Sequence, residues 1–141
     1  MNTFNPSHTS EKVFARVGAK TIIQNREGKI LVLRRSEKCS RPGGWDFPGG
    51  ASDWGENPRD TVIRETREET GLEIKDPTML TIYSSVSEEN EYIVQVGFAA
   101  KIQAGEVLLS WEHDLFEWIT VEAALTCTWP GFHKQLLQKF S

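Results

Sequence analysis

The chain has 141 residues, a length typical of one domain, and its hydrophobic content of 38% is sufficient for a compact core. Its net charge of −4 argues against a general surface for nucleic acid or for an anionic membrane. No apolar run is long enough to cross a bilayer, and residues 1–10 lack the apolar centre of a signal peptide. Cys39 and Cys127 lie far apart in the sequence, so we expect reduced thiols and a cytoplasmic protein without nucleic-acid or membrane partners.

The predicted elements alternate between strands and helices. The polar residues 1–10 are predicted to be flexible, and residues 11–141 are predicted to form the folded domain. In chain order, strands are predicted at residues 13–24, 29–35, 45–47, 79–86, 92–102 and 115–119, and helices at residues 58–70, 121–124 and 132–140. Residues 106–110 read as either a strand or an extended loop. Because strands bracket a central helix and another helix closes the chain, this order predicts an α/β fold with a mixed sheet between helices.

The central helix has clear signals at both ends. Asn57 is a good N-cap, Pro58 suits the first helical position, and Gly71 suits the C-terminal exit. At about 100° per residue, one side of the helix is expected to pack on the core through Val62, Ile63, Thr66 and Thr70. The hydroxyl of Thr66 is expected to bond back to the carbonyl of Val62, which would allow a polar residue on this side.

Three acids occupy another face of the same helix. Glu65, Glu68 and Glu69 have the spacing i, i+3, i+4, so their carboxylates repel one another and raise each other's pKa values. A divalent cation would remove that cost, and hard oxygen ligands suit Mg²⁺ or Mn²⁺ better than zinc. The alternative is a solvated acidic face on which Arg64 and Arg67 form ordinary surface ion pairs.

The spacing of seven residues extends this pattern to residues 50–72, which read GASDWGENPRDTVIRETREETGL. The seven are Gly50, Glu56, Arg64, Glu65, Glu68, Glu69 and Gly71. The stretch resembles the Nudix box, the signature of hydrolases that act on nucleoside diphosphates linked to another group. Seven such identities arise by chance at about 10⁻⁹ per starting position. One position departs, because Thr66 stands where the family usually places an aliphatic residue. The resemblance covers residues 45–72 and implies the Nudix fold, an α/β/α sandwich.

The resemblance also implies roles for the acids. Glu68 and Glu69 are expected to be metal ligands, and Glu65 a further ligand or the residue that orients a water molecule. The backbone carbonyl of Gly49, in the double-glycine turn, is expected to ligate the metal as well.

Residues around the acidic face complete the expected site. Glu56 and Arg64 match residues that brace the loop against the helix, with a simple surface ion pair as the alternative. Many Nudix enzymes add a glutamate from a later loop as a metal ligand or general base. Glu112 is favoured for this role because it precedes a short strand that contains a tryptophan, and Glu88 and Glu89 in another loop are the competitors.

Two residues are candidates for substrate contact. Arg35 ends the second predicted strand, where triphosphate-cleaving members of the family place a basic residue on a phosphate. Phe47 is a candidate for stacking on a base, as is Trp54. Each has an ordinary alternative, namely an exposed arginine at the end of a strand or an aromatic residue packed in the core.

WDFPGG at residues 45–50 and the short chain look more like the MutT-like members of the family. The resemblance therefore implies Mg²⁺- or Mn²⁺-dependent hydrolysis of a nucleoside or deoxynucleoside triphosphate to the monophosphate and pyrophosphate. ADP-ribose or a nucleotide sugar is the alternative substrate. The alternative of another class is a nucleotide-binding module without turnover, which predicts a damaged metal site, whereas all the acids of the box are present. Homodimers are common in the family, so the resemblance is compatible with a homodimer.

Overall fold

The computed structural model describes residues 3, 6–7 and 9–141, so five positions of the predicted flexible segment, residues 1–10, lie outside the described residues. The described elements are β1 (Arg16–Gln24), β2 (Ile30–Arg35), β3 (Trp45–Asp46), β4 (Gly49–Ala51), α1 (Pro58–Thr70), β5 (Glu73–Val86), β6 (Tyr92–Ala104), β7 (His113–Ile119), α2 (Val121–Leu125) and α3 (Gly131–Phe140). Among these residues, no helix combines the length and the apolar character that a membrane span requires.

The strands of the described chain form one mixed sheet. β1 runs parallel to β6 and antiparallel to β2 and β4. β5 extends the sheet antiparallel to β6, whereas β3 and β7 both pair antiparallel with β2. The mixed sheet predicted from the order of elements is confirmed.

Alternating side chains of the central strands supply two separate cores. Ile23 of β1 packs with Val62 of α1 on one face of the sheet. Its neighbour Ile22 packs with Leu136 of α3 on the other face, because successive side chains of a strand point to opposite sides. All four side chains are fully buried, and each contributes about 1.5–3 kcal/mol by leaving water. Helices on both faces of the sheet make the predicted α/β/α sandwich.

Helix α1 has the predicted bounds and the predicted caps. The side chain of Asn57 accepts a hydrogen bond from the amide of Arg59 at 2.9 Å. Gly71 ends the helix with φ of 73°, a conformation that favours glycine, and its amide donates to the carbonyl of Arg67. These caps fix where the helix begins and ends, and therefore which side chains share a face.

One expected contact on the packed side of α1 is wrong. The hydroxyl of Thr66 has no hydrogen-bond partner among the described residues, and it does not bond to the carbonyl of Val62. Thr66 is fully buried, and its hydroxyl meets no acceptor under the helix. Instead the hydroxyl of Thr70 donates to the carbonyl of Thr66 at 2.6 Å. A buried hydroxyl without a partner costs about 1–3 kcal/mol, so the departure from an aliphatic residue is not compensated locally.

Two strands, β5 and β4, differ from the prediction. β5 begins directly after the helix exit rather than at residue 79, and its pairing with β6 shifts register between Lys75 and Thr78. This irregularity interrupts the alternation of side chains that marks a strand in a sequence. Residues 106–110 form a loop, which is one of the two alternatives predicted for them, whereas the short strand β4 was not predicted.

Candidate functional site

Glu69 is the buried acid at the centre of the site. Its side chain accepts a hydrogen bond from the amide of Gly49 in β4 at 3.3 Å, and the residue is only 2% exposed. Burial raises the pKa of Glu69 to about 8, against the opposing effects of Lys20 and the Gly49 amide. The charges of Asp46 and Glu112 raise the same pKa further. Burial therefore favours the protonated form of this carboxyl, and a bound cation would favour the charged form.

Glu65 lies directly against Gly50. A Cβ atom at position 50 would stand 2.7 Å from the carboxyl carbon of Glu65, so glycine is what leaves room for this side chain. The carboxylates of Glu65 and Glu68 both face Arg64, at 3.0 and 3.2 Å from its Nη1 atom. In the part of the chain that the structure describes, no three acidic, histidine or cysteine side chains are grouped so that they could hold a metal ion. The predicted ligands thus share one side of α1 without surrounding a common point.

The chemistry of these donors fits a hard divalent cation. The carboxylates of Glu65, Glu68 and Glu69 and the carbonyl of Gly49 offer only oxygen atoms, which Mg²⁺ and Mn²⁺ prefer. Burial of Glu69 raises its pKa and so makes the charged carboxylate unfavourable, and a bound cation would offset this effect. To join such an ion, Glu65 and Glu68 would have to exchange their contacts with Arg64 for contacts with the metal.

Arg64 joins the loop before α1 to the helix. Its Nε and Nη2 atoms each donate to an oxygen of Glu56 at 2.9 Å, and Nη2 also donates to the carbonyl of Ala51 at 3.2 Å. The hydroxyl of Thr61 donates to the same carboxylate at 2.8 Å. This bidentate contact has the geometry expected of a brace, and it differs from a loose surface ion pair.

Glu56→Gln is expected to destabilise the protein at pH 7, and the difference from wild type should shrink as the pH falls from 4.5 towards 2. Hydrogen bonds from Arg64, then from the amide of Asp53, lower the pKa of Glu56 from 4.5 to about 2. A lowered acid pKa contributes stability that is complete above the unfolded-state pKa and is lost as the pH falls through the folded-state value. Urea unfolding of both proteins at pH 7, 5 and about 3 checks this. A difference that stays constant with pH would contradict it.

Backbone hydrogen bonds bring the loop of residues 106–112 to the end of α1. The amide of Ser110 donates to the carbonyl of Glu69 at 3.0 Å. From the other side, the amide of Ser36 donates to the carbonyl of Glu112 at 2.9 Å. Glu112 is therefore held near Glu69, whose pKa its charge raises. This placement agrees with the expected role of Glu112, which stays a prediction.

The competing glutamates occupy a different position. Glu88 and Glu89 are in the exposed turn between β5 and β6. Because Ile93 at the start of β6 pairs with Arg16 at the start of β1, this turn lies at the same end of the sheet as β4. Both remain alternatives for the general base.

A cleft of about 360 Å³ opens beside β1 and β4. Four basic side chains line it, Arg16, Lys20, Arg35 and Arg41, and no acidic residue of the described chain does. Arg35, which was expected to contact a phosphate, therefore faces the cleft, where its side chain is 17% exposed. In a protein of net charge −4, this lining is a local positive surface suited to an anion.

The structure contradicts the predicted contact between Phe47 and the substrate. Phe47 is fully buried, and its ring stacks on Trp129 with centroids 4.5 Å apart and on His133 with centroids 5.8 Å apart. Because Phe47 is fully buried in the core beneath α3, its ring is not accessible to a base. Of the two aromatic candidates, Trp54 is the exposed one, with 98% of its surface open in the loop before α1.

A buried charge cluster around Asp46 was not predicted from the sequence. This fully buried carboxylate accepts hydrogen bonds from Lys20 at 3.1 Å, Arg35 at 3.0 Å and His133 at 2.6 Å. Burial tends to raise the pKa of Asp46, but Lys20, followed by His113 and His133, holds it well below its usual value. A signal was present in the sequence, because Lys20 and Asp46 are charged residues within predicted strands.

Comparisons with known proteins identify the family of the chain. The NUDIX domain matches residues 15–140 of the chain. The "Uncharacterized Nudix hydrolase YvcI" of Bacillus subtilis is 32% identical over 96 residues, which are 65% of this chain but only 58% of that relative. A mouse protein named bis(5'-nucleosyl)-tetraphosphatase (asymmetrical) is 35% identical over 110 residues, which are 72% of this chain and 71% of the mouse protein.

The similarity extends to solved structures. The MutT protein from Methanosarcina mazei Go1 superimposes with a TM-score of 0.77 and 27% identity, over 93% of this chain and 96% of that protein. Nudix hydrolases generally use divalent metal ions. Because the family domain spans nearly the whole chain, the chain belongs to the Nudix hydrolase family.

Proposed function

We propose that this protein hydrolyses the diphosphate linkage of a nucleoside diphosphate joined to another group, with Mg²⁺ or Mn²⁺ as cofactor. One observation carries the proposal, namely the nearly buried carboxyl of Glu69, held against Gly49 with its pKa raised to about 8. A buried acid of this kind gains strongly from a bound cation, and perturbed acids concentrate at active sites. The basic cleft beside β4 supports the proposal, because it suits the phosphates of a nucleotide.

The cation would be held by the carbonyl of Gly49 and by carboxylates among Glu65, Glu68, Glu69 and Glu112. When bound, it supplies positive charge to the phosphate oxygens and lowers the pKa of a water molecule. In our proposal Glu112 takes a proton from the attacking water, since its loop is hydrogen-bonded to the end of α1. Arg35 orients the phosphate chain through its guanidinium, so that water attacks a phosphorus atom of the linkage.

A nucleoside or deoxynucleoside triphosphate is the substrate that we propose first, with the monophosphate and pyrophosphate as products. Its phosphate tail carries more negative charge than the diphosphate bridge of ADP-ribose or a nucleotide sugar. Four basic side chains and no described acid along the cleft favour the more highly charged ligand. The name of the mouse relative adds dinucleoside tetraphosphates to the substrates worth testing.

A panel of nucleotides tests the proposal. The panel contains the common ribonucleoside and deoxyribonucleoside triphosphates, ADP-ribose, a nucleotide sugar and diadenosine tetraphosphate, each with Mg²⁺, with Mn²⁺ and with EDTA. We expect metal-dependent release of pyrophosphate and a monophosphate from at least one triphosphate. Preferential cleavage of ADP-ribose or the nucleotide sugar would support the alternative substrate. Nucleotide binding without release of any product would support the non-catalytic module and overturn the proposal.

A further inference from the structure

Asp46 holds two basic side chains that face the same cleft. Its Oδ2 atom accepts hydrogen bonds from Nζ of Lys20 at 3.1 Å and from Nη1 of Arg35 at 3.0 Å. Its Oδ1 atom accepts from Nε2 of His133 at 2.6 Å and from the amide of Phe47 at 2.8 Å. The Asp46 side chain is fully buried, whereas the side chains of Lys20 and Arg35 are 13% and 17% exposed. A negative charge behind the cleft thus fixes two positive groups at its wall.

Lys20 also reaches the side of the site where the metal is expected. It pairs with Gly49 across β1 and β4, and its ammonium group donates to the Gly49 carbonyl at 3.2 Å. Its charge acts on the carboxyl of Glu69 as well. Two of its three ammonium hydrogens are used by described residues, so one remains for a ligand in the cleft.

We propose that Lys20 is a second phosphate-binding cation of the site, and that Asp46 is the positioning residue that holds Lys20 and Arg35 at a fixed separation. The three side chains together carry a net charge of +1, which a phosphate group would balance. A contribution to stability alone does not account for them, because a buried ion pair often stabilises no better than apolar residues of the same size. The inference rests on the proposed function, since it assumes that a phosphate chain lies beside Gly49.

The position of Lys20 predicts effects of opposite sign on two ligands. An ammonium group beside Glu69 and the Gly49 carbonyl repels a divalent cation that binds alone. The same charge attracts a phosphate group. Removal of the charge should therefore strengthen the binding of metal alone and weaken the binding of a phosphate compound. A purely structural role would weaken both or change neither.

Isothermal titration calorimetry on the full chain measures both affinities. The probes are Mn²⁺ alone and methylenediphosphonate, a diphosphate mimic that cannot be hydrolysed, at saturating Mn²⁺. For Lys20→Met we expect the Kd of the diphosphonate to rise about 10-fold, the effect of losing one charge-assisted hydrogen bond. The Kd of Mn²⁺ alone should fall about three-fold. Lys20→Arg keeps the charge and should restore most of the diphosphonate affinity.

Asp46→Asn separates the effect of position from the effect of charge. If charge alone mattered, loss of a negative group behind the cleft would tighten diphosphonate binding. If Asp46 positions the two cations, binding should weaken about five-fold instead. Arg34→Gln is the matched control, because Arg34 precedes Arg35 but pairs with Asp114 at 2.7 Å outside the lining of the cleft. It should leave both affinities unchanged.

Three results would overturn the inference: wild-type affinities in Lys20→Met, weakening of both ligands in that variant, or tighter diphosphonate binding in Asp46→Asn. A wild-type protein that binds no diphosphonate would overturn it as well. Circular dichroism verifies that each variant is folded, and the two Lys20 variants decide the matter even if Asp46→Asn does not fold. Failure of the proposed function gives a different result. Lys20→Met would still change the affinities for Mn²⁺ and for the diphosphonate in opposite directions, but the wild-type protein would cleave no nucleotide.

Discussion

Glu69→Gln is expected to reduce turnover about 1,000-fold, because the amide is a poor ligand and cannot supply the charge that a catalytic cation requires. The same substitution is expected to stabilise the metal-free protein at pH 8. Both effects follow from the burial of this carboxyl, which is 2% exposed and has a pKa raised to about 8. Loss of turnover together with a gain in stability would indicate that this acid serves to bind the metal and does not stabilise the fold.

The sign of the stability effect follows from linkage. The folded protein holds the proton of Glu69 more tightly than the unfolded chain does, because the pKa rises from 4.5 to about 8. Metal-free protein therefore loses stability as the pH rises between these two values. At about 1.4 kcal/mol per pKa unit, the loss is at most about 4–5 kcal/mol. Glutamine does not titrate, so it removes this loss.

Urea unfolding in EDTA at pH 5 and pH 8 tests this expectation. Between pH 5 and pH 8, the free energy of unfolding should fall clearly more in wild type than in Glu69→Gln. Turnover at saturating Mg²⁺ is measured on the same preparations. Unchanged turnover would remove Glu69 from the active site, and equal pH dependence of the two proteins would show that its burial carries no such cost.

Gly49→Ala is expected to cause the largest loss of stability, about 3–5 kcal/mol. Gly49 has φ of 141°, and an added Cβ atom would lie 2.0 Å from the carbonyl oxygen of Ala19 and 2.7 Å from Cα of Lys20. Both are backbone atoms of β1, to which β4 is hydrogen-bonded, so they cannot move aside without breaking the sheet. Activity should be lost as well, because the amide that contacts Glu69 would be displaced.

Gly50→Ala is the matched control for this prediction. There the added Cβ atom would meet the carboxyl group of Glu65, 2.7 to 3.0 Å away, at the end of a flexible side chain. We expect a smaller stability cost, below about 1.5 kcal/mol, together with reduced activity from the displaced carboxylate. Thermal unfolding followed by circular dichroism compares the two variants. Equal destabilisation of the two variants would contradict the expectation that a steric clash with backbone atoms costs more than a clash with a flexible side chain.

The elements that local chemistry controls were predictable from the sequence. Asn57, Pro58 and Gly71 define the ends of α1, and the spacing of three acids places them on one side of it. The division of the core into two clusters also follows from the apolar strands that precede the helix, because alternate side chains of a strand point to opposite faces of the sheet. A helix cap or a face depends on residues within a few positions of one another, and such patterns are visible in a single sequence.

Features that depend on distant partners were not predictable in the same way. Phe47 is an aromatic residue beside a glycine turn, and only the position of α3 shows that Trp129 and His133 cover it. Lys20 and Asp46 are charged residues in two different strands, and their contact requires the pairing of β1 with β2 and of β2 with β3. For the same reason the sequence could indicate three acids on a face without showing that Arg64 holds two of them.

Anomalous diffraction from crystals soaked in Mn²⁺ tests most directly whether the acids of α1 form a metal site. We predict an anomalous difference peak between α1 and β4, within ligand distance of a Glu69 carboxylate oxygen and the Gly49 carbonyl oxygen. We also predict that Glu65 or Glu68 has left Arg64 to join the ion. A soaked crystal with no peak at this place, in which Arg64 still holds both carboxylates, would contradict the assignment of a metal-dependent hydrolase.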